Sequence, residues 1–69
     1  MVEVFKTNVE NCEQAKDLLD AIHSTFIDYR ANFDLEDCDK VLRIEGQDFC
    51  PYRIIELLKL NGHYCEILT

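Results

Sequence analysis

Two hydrophobic rhythms alternate along the chain, one repeating every second residue and the other every three or four. Residues 2–6 open with the first: Val2 and Val4 share one face, Glu3 and Phe5 the other, which predicts a short strand. A polar connection over 7–11 follows. Ala15, Leu18, Leu19, Ile22 and Phe26 then fall on one helical face, and the spacing predicts a helix over 11–26. Asn8 or Asn11 can cap it, and Gln14 stands three residues after Asn11, a loose capping box. Glu10 and Glu13 lie near the positive end of that helix and His23 near its negative end, as the dipole favours.

The second-residue rhythm returns with Tyr29, Ala31, Phe33 and Leu35 on one side and Asp28, Arg30, Asn32, Asp34 and Glu36 on the other. An acidic turn around Asp37 and Cys38 leads into 40–45, with Leu42 and Ile44 inward and Val41, Arg43 and Glu45 outward. These strands are close enough in sequence to pair as a hairpin. Gly46 and Gln47 end the second of them. Asp48 can cap another helix, with Pro51 in its first turn, where a missing N–H costs little. Ile54, Leu57, Leu58 and Asn61 form its stripe, and Asn61-Gly62 stops it with Gly62 left-handed. Residues 63–68 close as a strand whose inward set is either Cys65 with Ile67 or Tyr64 with Leu68.

Strand, helix, strand, strand, helix, strand, joined by right-handed crossovers, gives an α+β chain. The expected architecture is a ferredoxin-like βαββαβ sandwich, one domain over residues 1–69. Strands one and three are central in a four-stranded antiparallel sheet, and both helices cover one face.

Composition narrows the partners. The chain has 69 residues with seven basic and fourteen acidic side chains, a net charge of −7. That acid excess argues against nucleic acid and against an anionic membrane surface. The longest apolar runs are pairs, so no membrane span and no signal peptide is expected. The expected compartment is the cytoplasm, where cysteines 12, 38, 50 and 65 stay free thiols.

The first strand, the stripe Ala15-x-x-Leu18-Leu19-x-x-Ile22 and the closing Leu60-Asn61-Gly62-His63-Tyr64 resemble the heavy-metal-associated family of copper chaperones and transporter domains. The resemblance spans essentially the whole chain. It implies the ferredoxin-like fold, and in that family copper is held by an M-x-C-x-x-C loop after the first strand. Here the loop reads Thr7-Asn8-Val9-Glu10-Asn11-Cys12-Glu13. Cys12 matches the second cysteine, while Val9 stands at the first and Thr7 at the methionine. Monovalent copper needs two converging soft thiolates, so the resemblance carries over the fold and Cys12 as one candidate ligand.

The expected topology brings the first loop, the hairpin turn and the link into the last strand to one end of the sheet. Cys12, Cys38 and His63 would meet there, a set suited to zinc or monovalent copper. The plainer reading starts the buried helix stripe at Cys12. Cys50 and Cys65 read as small apolar fillers. Asp34, Glu36, Asp37 and Asp39 crowd the turn without the ligand spacing of a calcium loop. Neither histidine has a marked Ser or Asp partner, and a thin domain encloses little pocket volume, so no enzyme is expected. Phe5, Val41 and Tyr64 are expected on the sheet face away from the helices, with Tyr52 and Phe49 in the core or at its rim. The sequence therefore points to a non-enzymatic binding or regulatory module without a cofactor, self-associating or bound to a protein partner. The alternative is a zinc or copper carrier or sensor using Cys12, Cys38 and His63.

Overall fold

The computed structural model describes residues 1–36, 38–48 and 50–68. Asp37 in the expected turn and Phe49, expected in the core or at its rim, lie outside the described residues. The order is β1 (Val2–Thr7), α1 (Cys12–Thr25), β2 (Arg30–Asp34), β3 (Val41–Glu45), α2 (Pro51–Leu60) and β4 (Cys65–Ile67). The strands form one antiparallel sheet in the order β2-β3-β1-β4. Both helices pack their stripes on the same side of it, giving the ferredoxin-like α+β architecture.

Helix α1 begins where the capping chemistry placed it. The Asn11 side-chain oxygen accepts the Gln14 N–H at 2.9 Å, and the Gln14 side chain returns to accept the Glu10 N–H, also at 2.9 Å. Ala15, Leu18 and Ile22 supply its buried stripe. Helix α2 starts differently from expectation. Its N-cap position is Cys50, with no side-chain cap bond, and Asp48 stands two residues earlier with φ of 52°. Asp48 therefore shapes the loop, and Pro51, which has no N–H to satisfy, opens the helix. Gly62 takes the left-handed conformation, φ 81°, and the His63 N–H returns to the Leu58 carbonyl at 2.9 Å, closing the helix.

The core gathers Phe5, Val9, Ala15, Leu18, Ile22, Ala31, Leu42, Ile44, Ile54, Leu58 and Cys65. Strand β1 sits in it with the opposite phase to that expected. Phe5 is directly across from Leu42 on one side and Ile67 on the other, and it is fully buried. Val2 and Val4 consequently face outward. The larger phenyl ring gains more from burial than either valine, and Thr7 can share its face because its polar groups are satisfied there. The Thr7 hydroxyl donates to the Lys40 carbonyl and accepts the Val9 N–H at 3.3 Å. In β4 the inward pair is Cys65 with Ile67.

A second close fit fixes the far end of the sheet. A Cβ on Gly46 would lie 2.5 Å from Tyr29 Cδ1, so the ring rests on bare backbone.

Replacing Phe5 by Ala is expected to cost roughly 3–5 kcal/mol, and Val2→Ala less than about 0.5 kcal/mol. Denaturant midpoints of the two variants check this; equal losses would contradict the strand phase. Gly46→Ala is expected to cost about 1–3 kcal/mol by overpacking against Tyr29, read from the same unfolding curves.

Candidate interaction surfaces

Backbone hydrogen bonds draw the first loop, the hairpin turn and the link into β4 to one end of the sheet, as the topology predicted. The Thr7 N–H reaches the Asp39 carbonyl at 3.0 Å, and the Asn8 N–H reaches the Tyr64 carbonyl at 3.2 Å. The Asn8 side chain accepts the Tyr64 N–H at 2.8 Å. Lys40, held with φ of 49°, donates its Nζ to the Leu35 carbonyl at 3.1 Å. The hairpin turn is thereby fastened to both its own strand and the first loop.

Two of the three candidate ligands, Cys12 and His63, border different depressions. Cys12 is the exposed first residue of α1 and lines a groove with Ala15, Lys16, Leu19, Phe33 and Leu35. It is therefore not the buried start of the helix stripe. Cys38 is exposed in the turn. His63, half-buried, borders a different depression with Asn8, Ile55, Lys59 and Tyr64. Among the described residues no group of three or more His, Cys, Asp or Glu side chains is set to hold a metal ion. Val9, in the first loop, is fully buried in the core.

Cys65 is buried as expected, and desolvation pushes its thiol up to about 11. Cys50 is exposed at the N-cap of α2 instead of filling the core. Tyr52, expected in the core or at its rim, is likewise exposed.

The opposite end holds an open cleft of about 770 Å³ between residues 25–30 and 45–48, more volume than a thin domain was expected to offer. Its wall is built by Phe26 and Tyr29, stacked with centroids 4.9 Å apart. Arg53 lies 5.8 Å over the Phe26 ring, within reach of a cation–π attraction. The Tyr29 hydroxyl donates to the Asp48 carbonyl at 3.4 Å. These contacts tie the two loops to each other and explain why Tyr29 packs so closely on Gly46.

The uncovered face of the sheet is the largest feature left. Register assigns it Val2, Val4 and Lys6 from β1, Arg30, Asn32 and Asp34 from β2, Val41, Arg43 and Glu45 from β3, and Glu66 from β4. Of the residues expected there, Phe5 points the other way and Val41, though outward, is buried. Tyr64 is exposed as expected, 56%, and donates its hydroxyl to the Glu66 carboxylate at 3.0 Å. That bond and the negative carboxylate raise the phenol's pKa. Val2 and Leu68, 54% and 38% exposed, complete the apolar part. The Leu68 N–H bonds the Val4 carbonyl at 2.8 Å, which sets Leu68 beside β1. Sequence reasoning did not single out Val2, for which the signal was the size of Phe5, while an outward Leu68 was one of the two phases open for the last strand.

Charge on this face is balanced. Lys6, Arg30 and Arg43 stand against Asp34, Glu45 and Glu66, so the net charge of −7 resides on the helices, loops and remaining positions. Among the described residues no helix is long and apolar enough to cross a membrane.

The fold is thus that of an α+β ferredoxin-like chain with one sheet face left uncovered by the helices. No protein-family model matches the sequence, and no match is found among curated proteins.

Thiol chemistry separates the four cysteines. At pH 8 a thiol-selective alkylating reagent is expected to label Cys12, Cys38 and Cys50 rapidly in the native protein, and Cys65 only after unfolding, counted by mass spectrometry. Because the Cys65 thiol is raised in the folded state, its contribution to stability is complete below the unfolded thiol's titration. It declines as pH rises towards about 11. Rapid native labelling of all four would contradict the burial.

Proposed function

We propose that this chain is a small non-enzymatic binding or regulatory module that acts through its uncovered sheet and associates with itself, in the cytoplasm. The observation that carries the reading is the charge-balanced sheet face in a chain of net charge −7. Two copies of so acidic a molecule repel over most orientations, and the sheet is the surface where that repulsion is least. Val2, Tyr64 and Leu68 offer apolar area there. Isolated sheets of this kind gain stability from additional burial, which small domains need most. The acidic helices and loops speak against nucleic acid and anionic membranes as partners. Three exposed free thiols suit a reducing compartment. The heavy-metal-associated resemblance fits this reading as a shared fold, with Val9 in place of that family's first cysteine and Thr7 in place of its methionine.

Native mass spectrometry under reducing, anaerobic conditions tests the proposal, before and after addition of zinc or monovalent copper. A dimer whose mass is unchanged by metal is the expected result. A stoichiometric metal adduct that disappears in Cys12→Ser and Cys38→Ser variants would replace this reading with a carrier or sensor built on Cys12, Cys38 and His63.

A further inference from the structure

We infer that two copies of this chain join edge to edge through β2, antiparallel about Asn32, and that His23 guards that edge in the single copy. The inference rests on the reading of the chain as a self-associating module, and it places that contact at the β2 edge rather than on the sheet face that carries Val2, Tyr64 and Leu68.

The direction of each backbone group in β2 follows from the register. The Gly46 N–H bonds the Met1 carbonyl at 3.0 Å, so by alternation the pairs Glu3–Ile44 and Phe5–Leu42 exchange hydrogen bonds between β1 and β3. Val41, Arg43 and Glu45 then turn their backbone groups to β2, where they meet Asp34, Asn32 and Arg30. Ala31 and Phe33 are left aiming N–H and C=O away from the sheet. The structure shows what the first of these does: the Ala31 N–H donates to His23 Nε2 at 3.3 Å. His23, exposed at the last turn of α1, reaches round the edge and occupies a donor that would otherwise invite another strand.

A second β2 fits this edge by its own sequence. With the two-fold axis at Asn32, Ala31 faces Phe33 of the other copy, and each exchanges both backbone hydrogen bonds with it. Arg30 faces Asp34 of the other copy, twice over. This register sets both charged residues of the strand against their opposites, on the outer face where both are exposed. Neither forms an ion pair within the chain among the described residues, although Glu45 lies across from Arg30. Asp28 and Glu36 would oppose each other beyond the strand ends, in water, where screening weakens the repulsion. On the inner side, the half-buried Leu19, Phe33 and Leu35 line a groove of about 550 Å³ beside this edge. The added strand would place its own Ala31 and Phe33 on that side. The other sheet edge, β4, offers three residues against five in β2.

Sedimentation equilibrium of the full chain, with Arg30→Asp, Asp34→Arg and their equimolar mixture, tests the inference. Far-ultraviolet circular dichroism confirms that each variant is folded. The native chain is expected to dimerise, each variant alone to dimerise more weakly by about tenfold or more, and the mixture to recover a dimer containing one of each. Recovery follows because every altered charge then faces its opposite. His23→Ala is expected to tighten the native dimer several-fold by freeing the Ala31 N–H. Variants that dimerise as well as the native chain, a mixture that fails to recover, or a His23→Ala dimer no tighter than the native one would overturn the edge contact while leaving the module reading in place. A native chain that stays monomeric would remove self-association itself, and the edge contact with it.

Discussion

Helices of fourteen and ten residues can cover one face of a four-stranded sheet and no more, and the rest of the molecule is arranged around that limit. Every strand must turn its best apolar residues to the covered side. Phe5, Leu42, Ile44, Ala31 and Cys65 do so, and Phe5 meets Leu42 across the two central strands. The phase of that pair dictates the other face. Once Phe5 is inward, Val2, Val4 and Lys6 are outward. Neighbouring strands follow in register, because a one-residue slip would expose the whole inner set.

The same limit explains the end where candidate ligands were expected. A core this small cannot spare its first loop, so Val9 and Thr7 are both buried. Burying Thr7 is tolerable because its hydroxyl both donates to Lys40 and accepts from Val9; a buried hydroxyl without partners would be costly. Holding Lys40 with positive φ is the strain that accompanies this arrangement. The surface ion pair nearby, Lys6 to Asp39 at 3.9 Å, is long and exposed and contributes little. Loop position here is set by packing and backbone bonds, and Cys12, Cys38 and His63 take the places those leave.

Most of the fold was legible because its signals are redundant. The α1 stripe, the Asn11 cap, the strict alternation from Tyr29 to Leu35 and the Asn61-Gly62 stop each point to one answer. The α2 start was less so: Asp48 and Cys50 are two residues apart, and Pro51 permits a helix to open without a side-chain cap. Strand β1 was ambiguous at the level of pattern, since Val2 and Val4 outnumber Phe5 while Phe5 outweighs either. Counting positions chose one face and burial area the other. The candidate ligands expose a different limit. Topology brings loops to one end of a sheet, but whether three side chains converge depends on ångström-scale placement that residue order does not encode.

Edge protection follows from the same shortage of covering material. Strand β4 is kept to three residues, whereas β2 keeps a five-residue edge. Arg30 and Asp34 provide the charges that edges use against indiscriminate pairing, and His23 blocks one backbone donor. These devices are partial. A charge pattern that repels most strands, arranged as a cation and an anion four residues apart, is complementary to itself in reverse. In the dimer we propose, what deters aggregation with arbitrary strands would select one partner, and the stability of the chain would rise with its own concentration.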